Sequence, residues 1–280
     1  MDLERKWEAA GLADDFIFSK VMLDKKICLE VIRRVLPELR IKRISTPNSQ
    51  QEINVASDAK SVRFDVYTKD EKSRRYDIEM QIVNHHNLPK RARYYQALNS
   101  IDSYEKGGSY NYADNSYVIF FCWFDPLGYD LQQYTLQRHI NELPAQIVDD
   151  GTVNIFLDVS SLKQTVNPKL QAFLELVAQR PVEEKDEFVV QLRQRIAYVK
   201  QRKKWKVKYM KLSAYEMDHR DELRAAKEEA LKQGEEKGKI KGIKEMVSVL
   251  RELQVRPIKI QQTIMERFNL TNEQANQYLK

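Results

Sequence analysis

The amino-acid sequence predicts a mixed α/β core followed by a helical C-terminal extension. Residues 61–83 alternate between apolar and polar side chains on both sides of a polar turn, as in a β-hairpin. Residues 117–124, YVIFFCWF, form an apolar run with the length of a buried strand. Helical patterns precede the hairpin, separate it from the apolar run and dominate residues 168–254. This order of elements indicates a mixed α/β core.

The first strong helical pattern covers residues 14–36. Asp14 or Asp15 is suited to cap it, Asp24 is placed to divide it into two helices, and Pro37 marks its end. The remaining elements of the core are expected to be a short strand at 41–44, a polar loop at 45–58, a helix at 88–106, and strands at 116–124, 134–139 and 153–159.

The hairpin at 61–83 separates apolar from polar residues on each predicted strand. The apolar rows are Val62, Phe64 and Val66, then Ile78, Met80 and Ile82; the polar rows are Arg63, Asp65 and Tyr67, then Asp77, Glu79 and Gln81. A turn centred near Lys72 pairs Asp65 with Glu79, Arg63 with Gln81, and Tyr67 with Asp77. Opposite residues have Cβ atoms roughly 4.5–5.5 Å apart. Two carboxylates at that distance repel each other unless a cation lies between them, and a divalent cation with hard oxygen ligands fits.

Asp65 and Glu79 are therefore candidate ligands of Mg²⁺, and Gln81 is directed into the same site. The spacing is that of a phosphodiesterase metal site, in which the metal orients and acidifies a water molecule. Gln81 orients water or phosphate by hydrogen bonds without carrying a charge. An ordinary half-exposed hairpin with charged residues facing solvent is the alternative explanation.

Candidate nucleic-acid contacts follow the hairpin on the helix at 88–106. Arg91, Arg93 and Tyr94 are suited to hold phosphates or to stack on a substrate, with Tyr95 beside them. The alternative is that the arginines face solvent and the tyrosines pack in the core.

A basic segment, residues 191–211, holds nine Lys or Arg and no acid, and it accounts for the net charge of +6. Lys203, Lys204 and Lys206 are its candidate DNA contacts. Trp205 and Tyr209 lie four residues apart, so they could instead dock this helix on the core.

Beyond the basic segment, Gly234, Gly238 and Gly242 recur every fourth residue on one helical stripe. This spacing fits either the close approach of another helix or a flexible arm. Residues 256–280 are expected to form two short helices, the second opened by a capping box at Thr271 and Gln274. A helix-turn-helix is one interpretation of these two helices, and a helical oligomerisation or docking unit is the favoured one.

Composition indicates the compartment. Cys28 and Cys122 each lie in an apolar segment without metal-ligand spacing, as buried cysteines of a reducing compartment do. The N-terminal residues are charged, and the longest apolar run is too short to span a bilayer. A cytoplasmic protein without membrane partners is therefore expected.

Five segments in order resemble one known family. They are DDFIFSKVM at 14–22, VRFDVY at 62–67, YDIEMQ at 76–81, PKRARYY at 89–95 and VIFFCWFDPLG at 118–128. They are similar to the Rpn family, the recombination-promoting nucleases also labelled transposases, of the PD-(D/E)XK nuclease superfamily. The resemblance extends over residues 10–250.

The resemblance implies a restriction-endonuclease-like core with a central mixed β-sheet flanked by helices. It further implies metal-dependent DNA endonuclease activity, with Asp65 and Glu79 as metal ligands and Gln81 in the position of the superfamily's lysine. Gln is also the usual residue of the family there, which leaves the general base open. An acid from the first helix often completes such sites, and Asp15 is the candidate, with Glu30 in reserve. His85 and His86 are weaker candidates for a ligand or base, because a polar loop accounts for both.

The leading hypothesis is a Mg²⁺-dependent endonuclease, with Mn²⁺ or Ca²⁺ as other possible metals, that cuts DNA with low sequence specificity in recombination or mobile-element biology. The alternatives are a catalytically weak or inactive DNA-binding or assembly protein with the same fold, and a defence-type toxin nuclease. The expected organisation is a nuclease-like domain at 1–180, a basic helical segment at 181–232, and a helical arm and unit at 233–280 that joins copies into a homo-oligomer or binds DNA.

Overall fold

The computed structural model describes residues 2–49, 51–53, 62–103, 109–182 and 186–279. The chain divides into two compact units, Met1–Met210 and Lys211–Lys280. Each unit is described by itself below.

The helices and strands follow each other along the chain in a mixed order. The helices are α1 (Leu3–Ala9), α2 (Asp15–Met22), α3 (Lys25–Val35), α4 (Leu88–Ser103), α5 (Pro168–Val177), α6 (Glu187–Gln201), α7 (Lys203–Glu252), α8 (Pro257–Phe268) and α9 (Asn272–Leu279). The strands are β1 (Gln51–Ile53), β2 (Val62–Phe64), β3 (Val66–Lys69), β4 (Arg75–Gln81), β5 (Ser116–Cys122), β6 (Gln133–Leu136), β7 (Arg138–Ile140), β8 (Leu143–Val148) and β9 (Thr152–Asp158).

A mixed sheet in the order β3-β4-β5-β9-β6 forms the centre of the first unit. Strands β4, β5 and β9 run parallel, while β3 and β6 pair antiparallel at the two ends. Strand β1 pairs with β2, and β7 pairs with β8 in a separate hairpin. This is the mixed sheet that the sequence predicts. The β7–β8 hairpin was not predicted. The single strand expected at 134–139 is two strands, since β6 ends at Leu136 and β7 begins at Arg138.

Each face of the sheet is covered by helices and carries its own apolar core. On one face, Ile78 and Phe121 pack with residues of α2, α3, α5 and α6, among them Phe18 and Phe173. On the other face, Phe120 and Phe156 pack with α4 through Tyr95. Because β4 lies between β3 and β5 and under helices, all seven of its residues are buried.

Local hydrogen bonds explain where the first helices begin. The Asp14 carboxylate accepts from the backbone N–H groups of Phe16 and Ile17, and Asp24 does the same for Lys26 and Ile27. The predicted division of residues 14–36 at Asp24 is therefore confirmed. The strand predicted at 41–44 is reduced to a single bridge between Ile44 and Asp70.

The hairpin has the predicted register but not the predicted continuity. Tyr67 pairs with Asp77, as expected. A bend at Asp65 separates β2 from β3, so Phe64 packs on the α4 face while Val66 packs on the opposite face. The prediction that these two share one apolar row is wrong, because the bend removes the strict alternation of a single strand.

Strand β2 has a partner that was not predicted, because Arg63 pairs with Glu52 of β1. The expected position of Arg63 opposite Gln81 stays a prediction. The apolar row predicted for the second strand is wrong at its end. Ile82 lies beyond the end of β4 with 48% of its surface exposed, so it does not continue the apolar row.

The predicted docking of the basic segment on the core is confirmed at Tyr209. The centroid of its ring lies 5.0 Å from that of Trp7 and 5.6 Å from that of Phe16. Its hydroxyl donates to Asp14 Oδ2 at 2.9 Å. The segment is two helices rather than one, because α6 ends at Gln201 and α7 begins at Lys203.

The second unit has a small apolar core of its own. It is formed by Ile243, Val247, Ile260, Ile264 and Ala275. The capping box at its last helix is confirmed: Thr271 N–H donates to Gln274 Oε1 at 2.9 Å, and Gln274 N–H donates to Thr271 Oγ1 at 3.3 Å. A Cβ at Gly242 would meet the Phe268 ring at 3.6 Å, whereas one at Gly234 or Gly238 would meet no described atom within 4 Å, so close approach of another helix does not account for the whole glycine stripe. Ile258, on α8, is exposed.

In the described part of the chain, no helix combines the length and apolar character that crossing a membrane requires.

Candidate active site

The carboxylates of Asp65 and Glu79 are joined through backbone hydrogen bonds where β3 meets β4. The Asp65 N–H donates to Glu79 Oε1 at 2.9 Å, and the Met80 N–H donates to Asp65 Oδ2 at 3.1 Å. Side-chain carboxylates thus take the place that backbone carbonyls hold in an ordinary antiparallel ladder. The bend at Asp65 is the local cause, because it turns this residue out of the strand. The predicted proximity of the two carboxylates is confirmed.

Glu79 is almost completely buried, with 1% of its surface exposed. Its Oε2 accepts hydrogen bonds from Arg91 Nη2 at 3.0 Å and from the Tyr95 hydroxyl at 3.3 Å. Burial, and then the charge of Asp65, raise the pKa of Glu79 well above its usual range. The interpretation of these residues as charges facing solvent therefore fails for Glu79.

Gln81 is held between the end of its own strand and helix α4. Its Oε1 accepts a hydrogen bond from Arg91 Nη1, and its Nε2 donates to the Val83 carbonyl at 2.6 Å. The Gln81 side chain is buried and adds no charge to the site. Arg91 connects Gln81 to Glu79 through two different nitrogen atoms.

Asp77 lies one rung further along β4 and is fully buried. Asn99 Nδ2 donates to Asp77 Oδ2, whereas Asp77 Oδ1 and Asn99 Oδ1 have no hydrogen-bond partner among the described residues. Burial raises the pKa of Asp77 to about 7. A proton on Asp77 would satisfy both remaining oxygens, since the acid would then donate to the Asn99 amide oxygen.

These contacts form a ladder between β4 and α4. Asp77, Glu79 and Gln81 occupy alternate positions of the strand, and they meet Asn99, Tyr95 and Arg91, spaced four apart on the helix. Two strand residues advance by about 6.6 Å and four helical residues by about 6 Å, so the rungs stay in step.

The sequence indicated the strand side of this ladder and named Tyr95 as a candidate substrate contact, but it missed Asn99 and the contact of Tyr95 with Glu79. The i, i+4, i+8 spacing of Arg91, Tyr95 and Asn99 is the signal that could have found them, because it puts all three on one helical face.

Other predicted ligands lie apart from this pair. Asp15 is exposed in the first turn of α2, and Glu30 is paired with Arg34 at 3.3 Å. His85 and His86 are exposed in the loop before α4. Within the described ranges, no cluster of three or more His, Cys, Asp or Glu side chains is arranged to hold a metal ion. The structure therefore brings Asp65 and Glu79 together but adds no third carboxylate from α2 or α3.

The donor set of the pair nevertheless fits a divalent cation. Asp65, Glu79 and Gln81 offer carboxylate and amide oxygens, the hard ligands that Mg²⁺, Mn²⁺ and Ca²⁺ accept. Burial, and then the charge of Asp65, raise the pKa of Glu79, and a cation between the two carboxylates would offset the repulsion that Asp65 adds. Asp65 and Glu79 are the residues that would hold such an ion.

The predicted nucleic-acid contacts fall in several places. Arg93 is exposed on the side of α4 away from Glu79, where it borders a cleft of about 460 Å³ with Gln96 and Asn154. Tyr94 is half-buried against the α4 core. Lys203 and Lys204 are exposed at the start of α7, and Lys206 pairs with Glu4 at 3.0 Å. Among the predicted contacts, Arg91 donates a hydrogen bond to Glu79 of the carboxylate pair.

Such a core, a mixed sheet with an acidic pair at the bend of the hairpin along one edge, is that of a PD-(D/E)XK nuclease fold. The model of the PD-(D/E)XK nuclease family transposases matches residues 13–226, and the chain belongs to this family. This confirms the resemblance seen in the sequence. No curated protein and no solved structure matches the chain. Family membership supports a nuclease- or transposase-like function.

Proposed function

We propose that this protein is a metal-dependent endonuclease that cuts DNA with low sequence specificity, in recombination or in the movement of mobile elements. The single observation that carries the proposal is the Asp65–Glu79 pair, fixed by backbone hydrogen bonds inside a nuclease-family core. Two carboxylates held this close, one of them buried Glu79 with its pKa raised, are costly for stability, so a ligand-binding role accounts for them better than packing does.

The reaction is the hydrolysis of a phosphodiester. Water oxygen bonds to phosphorus as one P–O ester bond breaks, one water proton passes to the leaving oxygen and the other to solvent. A divalent cation would supply neutralisation of the phosphate charge and a more acidic water. Asp65 and Glu79 would hold that cation, and Gln81 and Tyr95 would keep the surrounding groups oriented. The general base is left open.

The substrate contacts and partners are part of the same proposal. Arg93, Tyr94, Lys203, Lys204 and Lys206 would bind DNA backbone. The C-terminal helices would join copies of the chain into a homo-oligomer, and the protein would act in the cytoplasm. The predicted boundaries of the nuclease-like, basic and C-terminal segments stay a prediction.

The deciding experiment is cleavage of supercoiled plasmid with Mg²⁺, Mn²⁺ or Ca²⁺, comparing the wild type with Asp65→Asn and Glu79→Gln. Glu142→Gln, an exposed acid in the turn between β7 and β8, is the matched control. Nicking by the wild type and the control, absent from both site variants and from EDTA samples, is expected. Cleavage by Asp65→Asn at the wild-type rate would overturn the assignment of the site.

A non-catalytic DNA-binding protein is the second candidate. The observation that favours it is Arg91, which already occupies Glu79 Oε2 and Gln81 Oε1. This candidate predicts a gel shift that is indifferent to EDTA and no cleavage products with any metal. Growth arrest on expression that depends on Glu79 would instead indicate a toxin nuclease.

A further inference from the structure

The Arg91 guanidinium is fixed by three side chains at the mouth of the Asp65–Glu79 site. Nη2 donates to Glu79 Oε2 at 3.0 Å and to the Tyr95 hydroxyl at 2.6 Å, and Nε donates to the same hydroxyl at 2.9 Å. Nη1 donates to Gln81 Oε1. A guanidinium with this many acceptors has little freedom, and its planar fork is then oriented before any substrate arrives.

Part of this side chain remains open to solvent. The Arg91 side chain is 35% exposed, whereas Glu79 beside it is 1% exposed. The guanidinium thus lies between a buried carboxylate and the outside of the site, where an anionic group would approach. It also lies over the Phe120 ring, 5.4 Å from its centroid, which limits movement toward the sheet.

A phosphodiester that approaches Asp65 and Glu79 would need a positive group beside these two carboxylates. A phosphodiester is an anion, and it would meet two carboxylates. Gln81 contributes no positive charge, but its amide oxygen is an acceptor for a guanidinium. A lysine in its place would repel Arg91, so a neutral acceptor at position 81 suits a positive group that comes from α4.

We propose that Arg91 is a catalytic residue that contacts the scissile phosphate, and that Gln81 and Tyr95 are positioning residues that hold its guanidinium beside Glu79. The proposal rests on the proposed nuclease function and assigns the source of positive charge within the same site. As water adds to phosphorus, negative charge grows on the non-bridging oxygens, and a pre-oriented guanidinium stabilises that charge more than the ground state.

The first test is Arg91→Met, which keeps the length of the side chain and removes its charge. The expected loss in kcat is about a hundredfold, the effect of removing one oriented donor from a transition state. Binding of the same DNA in EDTA, measured by fluorescence anisotropy, should weaken several-fold. Lys90→Met, an exposed neighbour on α4, should leave both quantities unchanged.

The second test restores the positive charge lost in Arg91→Met by placing a lysine on strand β4, at position 81. Because Gln81 Oε1 touches Arg91 Nη1, a lysine at position 81 places its ammonium near the vacated guanidinium position. The double variant Gln81→Lys/Arg91→Met should therefore recover at least tenfold in kcat over Arg91→Met. Its pH–rate profile should fall on the alkaline side as the lysine deprotonates, whereas an arginine does not titrate in that range.

Tyr95→Phe tests positioning and serves if Arg91→Met fails to fold. It removes the one oxygen shared by Arg91 and Glu79. A fall in kcat with unchanged DNA affinity in EDTA supports the proposal, since a general loss of structure would lower both. An unchanged kcat overturns the positioning role of Tyr95.

The results separate the two proposals. If the wild type cuts DNA, Asp65→Asn does not, and Arg91→Met retains kcat within threefold of the wild type, the role of Arg91 is overturned while the nuclease function stands. If the double variant shows no recovery, the charge at this position is not what the reaction needs. If the wild type cuts no DNA with any metal, both proposals fail.

Discussion

Asp65 donates its backbone N–H to the Glu79 carboxylate at 2.9 Å, so the second acid of the pair holds the backbone of the first. Asp65 returns a similar contact, because its own carboxylate accepts the N–H of Met80, the residue after Glu79. The two side chains therefore fix the bend that brings them together. A substitution at either position changes the charge of the site, and one that also removes the oxygen acceptor breaks a hydrogen bond that holds the bend.

Asp65→Asn and Asp65→Ala should separate these two effects. The asparagine variant keeps an oxygen to accept the Met80 N–H, whereas the alanine variant leaves that buried donor unpaired, at a cost of about 1–3 kcal/mol. We expect both variants to lose cleavage but only Asp65→Ala to lose stability, as measured by urea unfolding. Equal stabilities would show that the Asp65–Met80 bond contributes nothing to the fold.

Asp77 should make the protein less stable as the pH rises. Its pKa in the folded protein is about 7, above its value in an unfolded chain, so the folded state holds the proton more tightly. The contribution is fully present below about pH 4 and is lost at about 1.4 kcal/mol per pH unit up to pH 7. Asp77→Asn mimics the neutral acid, and its unfolding free energy should lack this slope.

The matched comparison for Asp77 is the wild type unfolded in urea at several values from pH 4 to pH 8. Plotted against pH, the unfolding free energies of the wild type and of Asp77→Asn should coincide at low pH, where Asp77 is protonated. Above pH 5 they should diverge, with the variant more stable. Parallel curves at all pH values would contradict a buried, neutral Asp77.

Asp186 should have the opposite effect to Asp77 and make the protein less stable as the pH falls. Its carboxylate accepts a fork of hydrogen bonds from Arg34, 2.6 Å and 2.8 Å long, and this ion pair lowers its pKa. A lowered pKa gives stability that is present above the unfolded value, near 3.9, and is lost as the pH falls through the folded value. Asp186→Asn should cost about 3 kcal/mol at pH 7, because Arg34 is buried and loses its main counter-charge.

The control for Asp186 is acid unfolding followed by circular dichroism. The difference between the wild type and Asp186→Asn should shrink below pH 4, where the wild-type carboxyl also becomes neutral. A difference that stays constant to pH 2 would mean that the loss comes from packing and not from the ion pair.

Gly234 and Gly242 should both tolerate alanine. A Cβ at Gly242 would meet the Phe268 ring at 3.6 Å, an ordinary contact distance, and one at Gly234 would meet nothing within 4 Å. Each substitution to alanine should stabilise α7 by up to about 1 kcal/mol through helix propensity. Amide hydrogen exchange of residues 230–246 measures this. Faster exchange in Gly242→Ala alone would show that the contact with Phe268 is too close for a methyl group.

Much of the fold was predictable because its strands have patterns that can be recognised in a short stretch of sequence. Alternation around Lys72 gives both the hairpin and its register, and the apolar run at 117–124 gives the buried strand. Asp14 and Asp24 mark helix starts by their own hydrogen bonds, which depend on residues two and three positions away. Such signals need no knowledge of the tertiary structure.

The bend at Asp65 could not be predicted from alternation, since Val62, Phe64 and Val66 continue the period without a break. The bend is held by the contact with Glu79, fourteen residues later, which alternation within one strand does not reveal. The β7–β8 hairpin was missed for a different reason. Its residues are exposed, so no buried face imposes an apolar period on them.

The candidate site was predictable on the strand and not on the helix. Asp65, Glu79 and Gln81 follow from the hairpin register, whereas the roles of Arg91 and Tyr95 depend on how α4 packs across the sheet. The expectation that Asp15 completes the site rested on resemblance alone, and α2 packs against the opposite face of the sheet from α4.

The position of β9 between β5 and β6 has a consequence for synthesis on the ribosome. Strand β5 pairs with β4 on one side, and its other edge stays open until residues 152–158 have emerged. Until then, a seven-residue apolar edge, SYVIFFC, is available to pair with other nascent chains. The growing chain would therefore depend on chaperone cover over this interval, and a product truncated before Thr152 would aggregate rather than persist as a partial domain.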